Sequence, residues 1–336
     1  MPVVVESPLD FNAKAAICEN HNLVRTTIFC TSILALSNLA HAQTYDLVIR
    51  HGRIVDGTGN PAYFADVAVR DGRITVIGRL DEKTNGNIEL DATGLVVAPG
   101  FIDVHTHADD VADSPEAQNF LRMGVTTVVV GNCGSSTLDV AEFFRAIDQK
   151  HISINAATLI GHNSVREKAM GGDFDRPPTP DEMKRMEAMV EQAMKDGAVG
   201  LSTGLIYLPG VFSKTDEIVD LAKVVAAWQG IYTSHMRHED SRIYSALEEV
   251  FQIARQAHIR AEVSHIKLSG ERAWGQAAKV LELIEQARAQ GLDVTQDLYA
   301  YTASITGLRQ CIPDWAFEGG RRDSLRSSTT RRRRPS

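Results

Sequence analysis

The sequence has few cysteines, little positive charge outside one short segment, and no apolar run near its start long enough to span a bilayer comfortably. Four cysteines in 336 residues are too few for the framework of a small disulfide-linked secreted domain. The formal charge is −8, and residues 321–336 carry seven arginines against one aspartate, which leaves −14 on the first 320 residues. A protein this acidic is not expected to bind nucleic acid or an anionic membrane surface.

The apolar run near the start has the features of a secretory signal peptide. Arg25 precedes residues 28–40, which are apolar but too few for a transmembrane helix, and the run ends in the cleavage-like sequence Ala40-His41-Ala42. We therefore expect a mature protein that begins near residue 43 and is periplasmic or secreted. A buried core helix is the alternative. Residues 1–22 are longer and less basic than a usual signal-peptide start, so the natural start is expected downstream of residue 1.

Residues 43–98 and 99–320 differ in their patterns and are predicted to be separate parts. In the first part, short β-branched runs alternate with turn pairs such as Asp71-Gly72, which is typical of a small antiparallel β unit. In the second part, apolar runs alternate with segments of helical periodicity, which indicates repeated βα units. The predicted strands are 101–105, 125–130, 152–159, 198–202, 230–235, 260–265 and 292–297. The predicted helices include 181–196, 216–228, 241–257 and 275–290.

Seven strands in this order predict an α/β fold, a TIM-type (β/α)8 barrel that is incomplete because strand eight is missing. A doubly wound sheet is the structural alternative. Residues 321–336 have no apolar periodicity and are expected to be a disordered basic tail, as out-of-frame translation would produce. A genuine basic interaction tail is the alternative. The chain is thus divided into an upstream extension with signal peptide (1–42), a β part, a barrel part and a tail.

Residue types that bind metals recur where the predicted strands end. The carboxyl ends of barrel strands converge on one face, so side chains there are expected to lie close together. A single histidine at any one of these places is more often structural, but their joint occurrence favours a metal site. Imidazoles and a thiolate suit zinc, and a thiolate can bridge two ions. The candidate ligands are His105, His107, Cys133, His235 and His265; His162 follows the third strand.

Zinc in such a site lowers the pKa of water to about 7, so the water can attack an amide carbonyl that the same metal polarises. This chemistry also needs a general acid and base, and no residue of the chain is identified as one. Asp103 lies on the same predicted face as His105 but deeper, where it would orient a ligand. Lys267, Tyr207 and Tyr299 follow predicted strands and are candidate substrate contacts.

Several motifs together resemble the amidohydrolase superfamily, and within it the N-acyl-D-amino-acid deacylases (D-aminoacylases), over roughly residues 45–320. The resemblance implies a TIM barrel with a small β-sandwich, and hydrolysis of an N-acyl-D-amino acid to a carboxylate and a D-amino acid. It also implies a tight zinc site at Cys133, His235 and His265, and a weaker second site at His105 and His107 that shares Cys133. The motifs are residues 98–107, 130–134, 161–166, 200–207, 233–237, 264–267 and 313–320.

By the same resemblance Lys267, Tyr299 and, more loosely, Tyr207 contact the substrate. Cys133 stands in place of the carboxylated lysine found elsewhere in the superfamily, whereas Ala300 departs from the family's usual proline. The family's catalytic aspartate lies beyond residue 320, so none is carried over, and the chain is expected to be a truncated or frameshifted product with little or no activity. The alternatives are another amidohydrolase, acting on cyclic amides or D-dipeptides, and a non-catalytic metal-binding remnant. The expected partner is a small-molecule substrate.

Overall fold

The computed structural model describes residues 4–5 and 44–308. The chain divides into two compact units, residues 1–100 and residues 101–336. The predicted signal segment and the predicted basic tail lie outside the described residues. No helix in the described part of the chain is both long and apolar enough to cross a membrane.

The first unit is a six-stranded mixed sheet. Its spatial order is β1-β6-β2-β3-β4, and β5 also pairs with β2. The turn at Asp71-Gly72, with φ of +52° and +70°, joins β3 to β4 as an antiparallel hairpin. Since β5 and β6 both run parallel to β2, the prediction of a purely antiparallel unit is wrong. The strands are β1 (Val4–Val5), β2 (Tyr45–Ile54), β3 (Tyr63–Arg70), β4 (Arg73–Gly78), β5 (Gly86–Asp91) and β6 (Val96–Pro99).

The second unit contains parallel strands that neighbour one another in chain order, as the barrel prediction requires. They form a three-stranded sheet, β7-β8-β9, and a five-stranded sheet, β10-β11-β12-β13-β14. The third strand was predicted over residues 152–159, but it begins at residue 155 and continues past Leu159 as a second short piece, β10. No ladder joins β7 to β14 within residues 101–308. The strands are β7 (Phe101–Asp103), β8 (Val125–Val130), β9 (Asn155–Thr158), β10 (Ile160–Gly161), β11 (Gly200–Gly204), β12 (Ile231–His235), β13 (Arg260–Val263) and β14 (Val294–Gln296).

Helices connect these strands, and their ends follow local sequence signals. At the start of α4 the Thr179 side chain accepts from the Glu182 N–H while Glu182 accepts from the Thr179 N–H, and Pro180 occupies the first turn. Short 3-10 turns span Val111–Asp113 and Gly210–Phe212. The helices are α1 (Gln118–Leu121), α2 (Val140–Lys150), α3 (His162–Met170), α4 (Pro180–Lys195), α5 (Thr215–Ala226), α6 (Ile243–Ala257) and α7 (Ala277–Ala289).

The largest core of the second unit lies between the strands and the helices. Leu201, Tyr232 and Val263 are fully buried there, together with helix residues such as Ile218 and Leu247. Complete burial of an aliphatic side chain stabilises a fold by about 1.5–3 kcal/mol. Side chains alternate between the two faces of a strand. Tyr232 of β12 faces the helices, so His235, an odd number of residues further along the same strand, points away from them.

Candidate metal centre

All five predicted ligands lie at or just beyond the carboxyl ends of strands. His235 is the last residue of β12, Cys133 follows β8, and His265 follows β13. The strand prediction for residues 101–105 is wrong at its end, because β7 stops at Asp103. His105 and His107 thus follow the strand, and the bend after Asp103 brings them to the site.

The structure brings these side chains into two overlapping groups. The first contains His105, His107 and Cys133, and the second contains Cys133, His235 and His265; within each group all ligand atoms lie within 4.8 Å of one another. The Cys133 Sγ atom is 3.4 Å from Nε2 of both His105 and His265. The imidazole centroids of His235 and His265 are 4.3 Å apart. The two groups therefore share one ligand atom, the Sγ atom of Cys133.

The donors in this cluster fit zinc by chemistry and by their hydrogen bonding. Imidazole nitrogen and thiolate sulfur are the ligands that zinc prefers in proteins. His235 is only 4% exposed, and neither of its ring nitrogens has a hydrogen-bond partner among the described residues. A buried polar atom left unpaired costs about 1–3 kcal/mol. Coordination of a metal ion gives one of these nitrogens the partner that it lacks.

Burial controls the protonation of the cluster. It lowers the pKa of His235 to about 3, and it also lowers the pKa of His107, with a further contribution from the neighbouring His105 and His265. Both imidazoles are therefore neutral at pH 7, with a lone pair free to bind a metal. Burial raises the pKa of the Cys133 thiol to about 12, so this group is protonated until a metal displaces its proton.

The backbone around the ligands is strained and closely packed. Cys133 and His265 have φ of +54° and +36°, a left-handed conformation that costs a residue with a β-carbon about 1–2 kcal/mol. A β-carbon added to Gly134 would overlap Asn163 Oδ1, and one added to Gly204 would overlap the Cys133 carbonyl oxygen. Only glycine at these positions allows the turn that carries Cys133 to touch the end of β11.

Two carboxylates that the sequence analysis missed contact the histidines. Asp297 Oδ2 lies 3.1 Å from His105 Nδ1, and its Oδ1 accepts a 2.7 Å hydrogen bond from the His265 backbone N–H. Glu239 Oε1 lies 3.2 Å from His265 Nδ1 and 2.5 Å from Lys267 Nζ. The strand-end rule that found the histidines also selects Asp297, the last residue of the predicted strand 292–297. Glu239 lies in a loop, where no periodic pattern marks it.

These carboxylates are held in their charged form. Burial pushes the pKa of Glu239 upward, but hydrogen bonding to His265 and the charges of His235 and Lys267 outweigh it, and the net pKa is lowered. Asp297 behaves in the same way, with His105 as the strongest opposing partner. Burial and the adjacent Asp297 raise the pKa of Glu262 to about 8. At neutral pH Asp297 thus carries the negative charge of this pair.

The three candidate substrate residues lie around the same cluster. The Tyr207 ring is 4.7 Å from the His235 ring, and its hydroxyl is 3.2 Å from the Thr306 hydroxyl. Lys267 Nζ lies 5.8 Å from the centre of the Tyr299 ring. Lys267 thus connects the metal ligands with one tyrosine, and Tyr207 packs directly on a ligand.

Asp103 and Asp109, which lie beside the first two ligands in the sequence, make local backbone contacts. Asp103 Oδ1 accepts a 3.2 Å hydrogen bond from the His105 N–H, so it stabilises the bend that presents this ligand. Asp109 Oδ1 accepts from the Gly131 N–H at 3.1 Å. Burial raises the pKa of Asp109. Both carboxylates shape the loops that carry the ligands.

His162 belongs to a separate buried network beside the metal cluster. His162 Nε2 and Arg166 Nε each lie 2.9 Å from Glu217 Oε1, and the His162 and Arg166 side chains are fully buried. Arg166 also donates to the carbonyl oxygens of Phe174 and Arg176 at 3.1 and 2.7 Å. This network fixes the loop after α3 and the start of α5.

Asn163 extends that network to the loop that carries Tyr207. Its Nδ2 donates to the carbonyl oxygens of Gly204 and Tyr207 at 3.0 and 3.3 Å. Arg166 lies within 3.5 Å of the Pro209 carbonyl oxygen in the same loop. The motif around His162 therefore supports the position of Tyr207, and it does not supply a metal ligand.

Comparison with known proteins identifies relatives of the chain. A family model described as the amidohydrolase family matches residues 89–330. A D-aminoacylase of Alcaligenes xylosoxydans xylosoxydans is 37% identical over 80% of this chain and 60% of that protein. An N-acyl-D-glutamate deacylase of the same organism is 38% identical over 81% of this chain and 59% of that protein.

A crystal structure gives a similar result. The N-acyl-D-glutamate deacylase of Bordetella bronchiseptica, complexed with zinc and a phosphonate inhibitor that mimics the tetrahedral intermediate, is 39% identical in sequence. The TM-score is 0.74, and the match covers 77% of this chain and 59% of that structure. The chain thus spans about three fifths of the length of these relatives.

Proposed function

Because the chain belongs to the amidohydrolase family, we propose that its metal centre serves zinc-dependent hydrolysis of N-acyl-D-amino acids to a carboxylate and a D-amino acid. One observation carries the proposal: a buried thiol is shared by two groups of histidines at strand ends, and neither ring nitrogen of His235 has a hydrogen-bond partner among the described residues. The acyl-D-amino-acid substrate class comes from the relatives, which are 37% and 38% identical.

The chain's own residues would hold zinc through Cys133, His235 and His265 at a tight position, and through His105, His107 and the shared Cys133 at a weaker one. A zinc ion there would supply Lewis acidity toward the amide carbonyl and lower the pKa of water. The low pKa of His235, about 3, keeps its imidazole available over the whole neutral range.

The polar residues beside the ligands would orient the substrate. Lys267 is a cation only 2.5 Å from Glu239, and a substrate carboxylate can compete for the same ammonium group. Burial raises the pKa of Tyr207, so its hydroxyl remains a hydrogen-bond donor at neutral pH. A donor placed beside His235 can stabilise negative charge that develops on a carbonyl oxygen.

Ligand binding by the 336-residue chain tests this proposal. We expect the zinc-loaded chain to bind N-acetyl-D-glutamate or N-acetyl-D-methionine more tightly than the L enantiomers, as measured by calorimetric titration, and to lose this binding with a chelator. Loss of a charge-assisted hydrogen bond costs about 1.5–3 kcal/mol, so Lys267→Gln is expected to weaken binding roughly 10- to 100-fold.

Lys279→Gln is the matched control, because Lys279 is half exposed and pairs with Glu282 on the surface of α7. Equal affinity for D and L ligands, or binding that does not depend on zinc, would refute the proposed function. Turnover is followed by the release of free amino groups. The little or no turnover expected of this chain stays a prediction.

We also propose a periplasmic or secreted location. Its support is the run of residues 28–40 between Arg25 and the cleavage-like sequence that precedes Gln43. N-terminal sequencing of the exported protein tests the proposal, which requires a mature chain that begins near residue 43.

A further inference from the structure

The carboxylate of Asp297 joins the two histidine-bearing segments of the metal centre. Its Oδ1 accepts from the backbone N–H of His265 at 2.7 Å, and its Oδ2 lies 3.1 Å from Nδ1 of His105. The side chains of Asp297 and His105 are only 12% and 10% exposed. Each oxygen thus has its own nitrogen, and the Glu262 side chain also hydrogen-bonds to the carboxylate.

The imidazole of His105 presents its two nitrogens to different partners. Nδ1 faces Asp297, whereas Nε2 lies 3.4 Å from Cys133 Sγ. A carboxylate only accepts hydrogen bonds, so the contact with Asp297 requires the proton of the neutral ring to be on Nδ1. The lone pair is then on Nε2, the atom that faces the shared thiol.

We propose that Asp297 is a positioning residue that fixes the Nδ1–H tautomer of His105 and thereby makes Nε2 a metal ligand at the position formed with His107 and Cys133. Carboxylates that orient ligating histidines in this way commonly change metal affinity by 10- to 100-fold. Asp297 acts through His105, and it lies on the side of the ring opposite the thiol. The inference rests on the proposed metal centre, and it does not depend on which substrate the protein binds.

The substitution Asp297→Asn tests this role because it keeps the shape and reverses one hydrogen bond. The asparagine carbonyl oxygen must still accept from the His265 N–H, so its NH2 group faces His105 Nδ1. Nδ1 must then accept, so the ring proton is favoured on Nε2, and metal binding through Nε2 must first displace that proton. Asp293→Asn is the control, since it removes the same charge from an exposed residue just before β14.

The readout is cobalt(II) binding, followed by the sulfur-to-cobalt charge-transfer band and by metal analysis after gel filtration. We expect two cobalt ions per wild-type chain and per Asp293→Asn chain. Asp297→Asn should keep the tight ion, with its band, and bind the second ion 10- to 100-fold more weakly. If Asp297→Asn binds two ions with wild-type affinities, the inference is overturned, but the proposed function is not. A wild-type chain that binds no cobalt would overturn the proposed function and the inference together.

The tautomer itself is measurable in the metal-free wild-type chain, which keeps the test valid if Asp297→Asn does not fold. Nitrogen-15 chemical shifts of labelled histidine distinguish Nδ1–H from Nε2–H rings, and the His105→Ala spectrum identifies the His105 signals by their loss. The inference requires the Nδ1–H form at His105. An Nε2–H ring would contradict it.

Discussion

Removal of the Glu217 charge is expected to destabilise the second unit strongly. Glu217 Oε1 accepts from both His162 and Arg166 at 2.9 Å, and the Arg166 side chain has no exposed surface. In Glu217→Gln the guanidinium stays buried without its counter-charge. Breaking a buried ion pair in this way costs about 3–5 kcal/mol, and the amide oxygen that remains as an acceptor places the cost at the lower end, about 3 kcal/mol.

The matched control is Glu248→Gln on α6. Glu248 also accepts from an arginine, Arg255, at 2.9 Å, but the two side chains are 62% and 42% exposed. Exposed pairs of this kind contribute about 0–1 kcal/mol. For a unit of this size about 3 kcal/mol corresponds to roughly 6–12 °C in the midpoint of thermal unfolding. Circular dichroism should show such a decrease for Glu217→Gln and a change of at most a few degrees for the control.

The effect should also depend on pH with a defined sign. Burial pushes the pKa of Glu217 upward, but the hydrogen bond from His162 and the charges of His162 and Arg166 outweigh it, so the pKa in the folded chain lies below the ordinary value of 4.5. A lowered carboxyl pKa stabilises the fold above the unfolded-state value and ceases to do so as the pH falls through the folded-state value. The difference between wild type and Glu217→Gln should therefore be complete above about pH 5 and shrink below pH 4.5.

Two results would refute the reasoning about this network. One is a midpoint for Glu217→Gln that falls no further than the midpoint for Glu248→Gln. The other is a difference between wild type and Glu217→Gln that stays constant from pH 6 to pH 3.5, since a charge effect at Glu217 must fade over that interval.

Two further predictions concern the metal centre. At pH 8 the first zinc ion added to the metal-free chain should release about two protons, one from Cys133, whose pKa is about 12, and one from zinc-bound water, whose pKa is about 7. A second ion should release none from the shared thiol. An indicator dye in weak buffer measures the release, and Cys133→Ser should bind neither ion tightly. Gly204→Ala should destabilise the chain by about 1–3 kcal/mol and weaken metal binding, because the new methyl group overlaps the Cys133 carbonyl oxygen. Gly78→Ala, where a β-carbon meets nothing within 4 Å, is the control, and equal urea midpoints for the two variants would contradict the argument.

The sequence was sufficient to predict the parallel strands because they are short and most lie in runs of small, apolar or β-branched residues that are followed by a helical pattern. The ends of these strands were harder. Residues 104 and 105 continue the strand pattern, but the Asp103 carboxylate accepts from the His105 N–H and ends the strand. The parallel pairing of β5 and β6 with β2 was missed because the turn signals between them say nothing about long-range order.

The ligand cluster could be predicted because strand ends of parallel sheets converge, so that residues far apart in sequence meet at one face. The contacts of Glu239 and His162 could not be predicted from the sequence. Glu239 reaches His265 only because the loop after β12 folds back, and His162 lies at a strand end but contacts Glu217 at the start of α5. Both outcomes depend on loop conformation and on side-chain direction, for which spacing along the chain contains no signal.

The close backbone contact at Gly134 and Gly204 has a consequence for how the shape of the site can change by mutation. The wall of the site built from the Cys133 turn and the end of β11 accepts no added side chain at these glycines, so single substitutions there cannot reshape it without moving a metal ligand. Changes in the shape of the site are therefore expected in other loops, such as the one after β14 that carries Tyr299. The part of the site around Gly134 and Gly204 should therefore keep its shape in any variant that still binds metal.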